Sequence, residues 1–393
     1  MQLKPLKKIG KLFRKTIRRL KKPYQPFPTI NELLHQTRTE AFKQAPKTVR
    51  NLVSVGCAGT WYFDWIRETY GDVNKHTGVE FYSPKPNDLP ANVEWIANTA
   101  GHMPEIAGGS ADGIFSGQNM EHLWPEDVCG FYLESHRILQ EGGLLIVDSP
   151  NRLVTTQYNW SHPEHTVELT PTEAVELTTS AGFDVTNVRG LWLCEAVGRD
   201  KLYAFDDMKI YGLDSVKNRM EVAKDFPEKS FLWWVEARRS RRVPDEIKLR
   251  TKMTQIWNDA WPERCQRTLT IIGKEMNGRK AFLSRGKPGV LMYGPYLPLR
   301  KGRYSAKFSV TLRKDYFNPK DLIRFDIVAG DGTLLLGERE IALEQLTIDQ
   351  RFEVPFDFEI ADTTFGVQFR VIVPSGIVIE SDRDVSLQTM TGW

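Results

Sequence analysis

The chain has 393 residues, with 53 lysines and arginines against 50 aspartates and glutamates, so its net charge of +3 is small. A hydrophobic share of 41% supplies real cores, and this length makes two domains the default expectation, which excludes a disordered or fibrous chain. Cys57, Cys129, Cys194 and Cys265 are widely spaced with no C-x-x-C, which argues against a disulfide framework or structural zinc, and no apolar run reaches the ~18–20 residues of a membrane span.

The charge is unevenly placed. Ten of the basic residues fall in the first 22 positions, with no acid among them. On a helical wheel Leu3, Leu6, Ile9, Leu12, Phe13, Ile17 and Leu20 fill one arc, and the cations fill the other. That segregation predicts a helix lying in a membrane interface, cations on anionic headgroups. It lacks the serine of a transit peptide and the unbroken apolar core of a secretory signal. The rest of the chain is acidic on balance, which argues against a nucleic-acid coat.

Pro23, Pro26 and Pro28 end the leader, so residues 1–28 read as a surface helix and linker. From position 29 the pattern predicts a helix over 30–45, then short apolar strands alternating with helices. The strands fall at 51–55, 77–81, 93–97, 111–116 and 144–148, with helices over 61–70 and 125–139. Thr170-Pro171-Thr172-Glu173 reads as a capped helix start, followed by strands at 183–188 and 231–237. This alternation predicts an α/β unit over 29–243, a doubly wound, mostly parallel seven-stranded sheet. Residues 244–264 read as a polar linker helix.

Over 265–393 helical pattern gives way to short strands: 269–272, 290–292, 304–312, 322–328, 333–337, 352–358, 365–373 and 385–390. Gly330-Asp331-Gly332 is a hairpin turn signal. The expectation is an all-β, jelly-roll-like sandwich.

In a doubly wound sheet ligands sit beyond the carboxyl ends of the strands. The first strand runs into Gly56-Cys57-Ala58-Gly59, where small residues let a ligand approach the backbone and the next helix offers free N–H groups. Glu80 closes the second strand, where an acid commonly chelates two ribose hydroxyls. After the fifth strand, the loop from Gln157 to His165 hangs over the same mouth. His162 and His165 there suit removal of a proton from an alcohol at neutral pH. His122 follows the fourth strand and is expected to orient its neighbours, with Glu121 and His122 next in line as the base. No three-carboxylate set stands out, so metal-free chemistry is expected.

Val53 to Thr60, Gly78-Val79-Glu80, Ser110 to Ser116 with Met120-Glu121-His122, and Arg137 to Gly143 resemble the successive motifs of class I S-adenosylmethionine-dependent methyltransferases. The likeness covers roughly residues 30–240. It implies S-adenosylmethionine as cofactor, with Gly56, Cys57, Ala58 and Gly59 at its methionine moiety and Glu80 at the ribose. It implies Thr99 and Ala100 by the adenine, and Ser116 and Gln118 near the methyl group. The family usually has an acid where this chain has Ser54, a further glycine-type contact at Ala58 or Thr60, and Asp at Thr99.

The segment Pro288 to Tyr304, with Phe325 to Val328 and Gln368 to Val371, is similar to carbohydrate-binding-like modules of bacterial polysaccharide enzymes. That likeness implies Tyr293, Tyr296, Arg303, Tyr304 and Arg370 as sugar contacts. Together the features predict a cytoplasmic methyltransferase, peripheral on the inner face of the bacterial inner membrane. Its expected acceptor is a sugar of a surface polysaccharide or lipid-linked glycan, with glycosyltransferases of the same pathway as partners and no nucleic acid. The rival reading is a non-catalytic scaffold with a degenerate methyltransferase fold that recruits glycan enzymes.

Overall fold

The computed structural model describes residues 29–198, 201–203, 212–276, 280–313, 318 and 320–390, the side chains of 212–215 aside. The leader helix expected over residues 1–28 lies outside the described residues.

The chain from α1 (Ile30–Gln44) to β7 (Ser230–Arg239) alternates strands with helices. In order come β1 (Asn51–Val55), α2 (Thr60–Tyr70), β2 (Lys75–Glu80), β3 (Val93–Ala97), β4 (Ala111–Gly117), α3 (Pro125–Ile138) and β5 (Leu139–Pro150). Then follow α4 (Arg152–Gln157), α5 (Pro171–Ser180), β6 (Phe183–Leu193), α6 (Gly212–Ala223) and β7. The sheet order is β3-β2-β1-β4-β5-β7-β6. The first five strands pair in parallel, but β7 runs antiparallel to both β5 and β6. The sheet is therefore mixed rather than mostly parallel. The short turn-bearing segment between α6 and β7 returns the chain into the sheet from the opposite end.

Local sequence explains the ends of these elements. Thr29 and Thr170 each close a capping box, with Glu32 and Glu173 answering at the third helical position. The buried runs of β1, β4 and β5 are apolar on both faces because helices cover both sides. One cluster, including Val53, Ile114, Phe131 and Trp233, fills one face. Phe42, Phe63, Phe115 and Trp234 belong to the other.

The helix α7 (Glu246–Cys265), capped by Asp245, is less polar in effect than its composition suggests. Leu249, Met253, Ile256 and Ala260 recur at helical spacing and bury against α3 and α5, in the same cluster as the sheet.

Beyond α7 the described residues form two antiparallel sheets. One runs β10 (Gly289–Met292), β16 (Thr364–Val373), β13 (Leu322–Ala329), β14 (Leu334–Ala342), with β11 (Pro295–Leu299) also on β16. The other runs β15 (Arg351–Ile360), β12 (Gly302–Leu312), β17 (Ile379–Asp382), β9 (Ala281–Leu283), β8 (Lys274–Glu275), with β18 (Ser386–Thr389) on β12. Their inward residues, among them Phe308, Phe325, Phe356 and Phe369, share one apolar cluster. The strand expected at 269–272 is only a bridge from Leu269 to Tyr293. Asp331 adopts φ 55° in the expected hairpin turn.

Candidate active site

A cavity of about 570 Å³ opens at the carboxyl ends of β1, β2 and β4. Gly56 and Ala58 form its floor after β1, Glu80 its side after β2, and Thr99 and Ala100 its far end after β3. Gln118, Asn119 and His122 close it after β4.

Gly56 has φ 70°, and a Cβ there would stand 2.8 Å from Asn119 Oδ1, so both conformation and space require glycine. Gly59 is the N-cap of α2 and has no side chain to satisfy the first-turn N–H groups. Glu80 is buried, and its Oε1 accepts from the backbone N–H of Tyr82 at 2.8 Å and Ser83 at 2.9 Å. These bonds fix the carboxylate and leave Oε2 for a ligand.

Gln118 also takes a positive φ, 55°, and donates to Asp148 Oδ1 at 2.7 Å. Asp148 in turn pairs with Arg38 of α1 at 2.9 Å, both side chains buried. Gly117 leaves room for that arginine, whose Nη2 lies 2.2 Å from where a Cβ would stand.

Two residues expected at the cofactor lie behind the wall instead. Cys57 is fully buried, and its thiol donates to Val79 O at 3.5 Å, while burial pushes its pKa far up. Ser116 is also fully buried, on β4. Neither lines the cavity; in a parallel sheet alternate residues face the helical layers, not the strand ends. Ser54 is likewise buried and hydrogen-bonded to His76 at 2.8 Å, so an acid there would face the interior.

An acid missing from sequence position 99 is present in space. Asp127, on the first turn of α3, lines the cavity with its Oδ1 3.5 Å from Thr99 Oγ1. Burial and neighbouring Glu126 raise its pKa. No local pattern marks it, because the contact spans 28 residues.

The three histidines expected to carry chemistry come together. The rings of His162 and His165 are 4.5 Å apart, and that of His122 is 4.9 Å from His165. Thr166 clamps the loop that carries two of them by donating to Glu121 O at 2.7 Å and to Leu123 O. Arg264 donates to His162 O, and Arg267 to Trp160 O, so the end of α7 and the turn after it hold the loop from the far side.

The histidines differ in access. His122 lines the cavity; desolvation, with His162 nearby, lowers its pKa and favours the neutral ring. Desolvation lowers His162 in the same way, and its Nδ1 accepts from Glu164 N–H at 3.3 Å. His165 is buried and bonded through Nδ1 to Glu168 at 2.9 Å, and burial pushes it down to about 3. Burial works against the charge on Glu168, but His165 and Arg267 outweigh it and hold the carboxyl well below its usual range. Glu121 is buried with Ser149 donating to Oε2 at 2.8 Å, and burial pushes it up to about 8.

The C-terminal sheets complete the cavity. Arg300, Thr363 and Phe365 line it; Arg300 pairs with Glu126 and lies 4.3 Å over the Trp124 ring, and Phe365 meets Tyr82 edge-on at 6.0 Å. The expected sugar contacts are dispersed. Tyr304 is buried core, its hydroxyl donating to Arg300 O at 2.8 Å, and Arg370 is paired with Asp326 at 2.7 Å. Tyr293 and Tyr296 meet edge-on at 6.3 Å, and Arg303 is exposed.

Residues 53–147 match the family described as "Methyltransferase domain". No curated protein matches the chain. Among solved structures, an S-adenosylmethionine-dependent methyltransferase from Archaeoglobus fulgidus is 17% identical, covering 58% of this chain and 99% of that one at TM-score 0.37. One from Mesorhizobium loti is 13% identical, covering 53% and 100% at TM-score 0.36. A chain of the complex between the Haloferax volcanii Trm112 methyltransferase activator and the putative methyltransferase is 15% identical, covering 54% and 92% at TM-score 0.40.

The cavity suits the cofactor that this family uses. Gly56 admits close approach of a ligand, Glu80 offers a fixed acceptor for vicinal hydroxyls, and Asp127 stands beside Thr99 to receive an amino group. Asn119 Nδ2 is buried, with no partner among the described residues, and so offers a donor. Residues 53–147 therefore form a methyltransferase domain, set in a Rossmann-like mixed sheet whose cavity suits S-adenosylmethionine as cofactor.

Proposed function

We propose that this methyltransferase acts on a sugar hydroxyl of a bacterial surface polysaccharide or its lipid-linked precursor, at the inner face of the inner membrane. The observation that carries the reading is the composite cavity. Arg300, Thr363 and Phe365 of the C-terminal sheets face the same space as Gly56, Glu80 and His122. That the C-terminal region, whose sequence resembles carbohydrate-binding-like modules, borders this cavity supports a sugar acceptor.

The bound cofactor supplies an electrophilic methyl on a sulfonium. The chain's own residues do the rest. Glu80 would hold the nucleoside, Gly56 would let it approach, and the Arg38–Asp148–Gln118 series fixes the wall at Gln118. His122, neutral and at the cavity, takes the hydroxyl proton as the oxygen attacks. His165 and Glu168 position the loop around it.

No described helix is long and apolar enough to cross a membrane. The membrane reading rests on the segregated leader, which brings the enzyme to a lipid-linked acceptor and to the glycosyltransferases that extend it. The test is transfer of a radiolabelled methyl from S-adenosylmethionine to purified lipid-linked oligosaccharides. Label that stays in the glycan and is recovered as an O-methyl sugar after acid hydrolysis supports the reading. Label appearing only in protein or in small-molecule acceptors overturns it.

A further inference from the structure

We propose that Glu121, His122 and His165 hold a divalent transition-metal cation in the wall of the cofactor cavity. One ligand atom from each of the three lies within 4.8 Å of the others. A cation bonding all three at about 2.0–2.2 Å draws them slightly together. Two imidazoles and one carboxylate form the donor set of catalytic zinc and non-haem iron sites, with open positions left for another oxygen.

Three features prepare the set. First, His165 is bonded through Nδ1 to Glu168, which fixes the ring and leaves Nε2 as the nitrogen able to bind a cation. Carboxylate support of that kind is how metal-binding histidines are oriented. The other oxygen of Glu168, Oε2, accepts in turn from Arg267 at 3.1 Å and from Thr155. Second, Glu121 is buried, and among the described residues it makes no ion pair. Arg38, the nearby cation, is committed to Asp148. A buried carboxylate is tolerated when it is paired or coordinates a metal. Ser149 steadies one of its oxygens and leaves the other for coordination. Third, the site has an outlet: His122 belongs to the cavity lining, so a fourth ligand can come from a bound molecule.

The site itself does not depend on the acceptor assigned above; its use does. There the cation binds the acceptor oxygen and lowers the pKa of its hydroxyl. With its ring nitrogen on the cation, His122 is no longer the base, and the proton leaves instead to solvent or to His162, whose ring is 6.0 Å from that of His122. The oxygen then bonds to the methyl carbon as the carbon–sulfur bond breaks, and that electron pair returns to sulfur, which becomes a neutral thioether.

The test uses the full-length, untagged chain stripped of metal and titrated with Zn²⁺ by calorimetry, then with Co²⁺ by visible absorption. The expected result is one cation per chain. Glu121→Gln and His165→Gln weaken it at least about 100-fold while circular dichroism stays unchanged. Glu168→Gln weakens it about 10–100-fold, as outer-shell partners do. Pulsed electron paramagnetic resonance of Cu²⁺ on the unaltered chain counts bound imidazoles and needs no variant; two or more support the site. No saturable binding, fewer than two imidazoles, or affinity that survives both variants overturns it. Cation binding without sugar methylation would leave this site standing and remove the acceptor reading alone.

Discussion

Arg267 and Glu168 face each other at 3.1 Å with both side chains almost wholly shielded from solvent. The pair joins the end of α7 to the histidine loop, and so couples the C-terminal region to the wall of the active site. Arg267 also donates to Thr156 Oγ1 at 2.8 Å and to Trp160 O at 2.7 Å.

Removing one partner of a buried pair leaves the other charge unanswered. Arg267→Met should therefore destabilise the fold by about 3–5 kcal/mol. Urea unfolding measures this as a lower midpoint at unchanged slope. A loss under about 1 kcal/mol would mean that solvent reaches Glu168 in solution.

Glu80 separates two roles in one side chain. Its Oε1 anchors the turn at Tyr82 and Ser83, and its other oxygen is available to the ribose. Glu80→Ala should weaken S-adenosylmethionine by about 2–3 kcal/mol, the scale of hydrogen bonds to a charged acceptor. Glu80→Gln keeps an acceptor for the turn and should lose less. Calorimetry with equal affinities for all three forms would move the ribose elsewhere.

Deletion of residues 1–22 should release the protein from anionic vesicles and leave cofactor affinity unchanged. Ten cations contribute roughly 1 kcal/mol each near such a surface, so salt should also release the intact chain. Co-sedimentation that survives the deletion would put membrane contact, if any, on another surface.

The parallel half of the sheet was legible because its strands are short apolar runs bounded by turn residues; β1 and β3 fall where the pattern puts them. Strand direction was not. Phe231 to Ala237 reads as buried strand either way, and only the connection from α6 decides that β7 runs antiparallel. The helix α4, six residues long, is too short to show a period. The site was legible where one segment carries it, as at Gly56 and Glu80. It was hidden where tertiary contacts make it. Glu121 meets His165 through the Thr166 bond to Glu121 O, 45 residues away. Asp127, Arg300 and Phe365 reach the cavity from three separate elements.

His76 should make stability fall in acid. It is buried beside Ser54, and desolvation pushes its pKa from 6.5 down to about 4. The unfolded chain therefore takes up a proton that the folded chain refuses. Its contribution is full above about pH 6.5 and is lost as pH falls toward 4. Melting temperatures from pH 8 to 4.5 should show His76→Gln losing less on acidification than the parent. Parallel curves would place the titration on other groups.

His122 is the histidine best placed to act on an acceptor, since it lines the cavity while His165 is committed to Glu168. Its lowered pKa keeps the ring neutral at physiological pH, the form that accepts a proton or binds a cation. His122→Gln should cut turnover about 10²–10⁴-fold at saturating cofactor. S-adenosylmethionine affinity, read separately by calorimetry, should hold within a few-fold, because Gly56, Glu80 and Asp127 lie on other walls. His162→Gln divides the two ways in which the proton can leave. If His122 is the base alone, this change has little effect and chelators leave turnover intact. If a cation sits on His122, chelators stop turnover, Zn²⁺ or Mn²⁺ restores it, and His162→Gln shifts the pH profile. Near-normal turnover in His122→Gln, with or without metal, would remove the histidine cluster from the reaction.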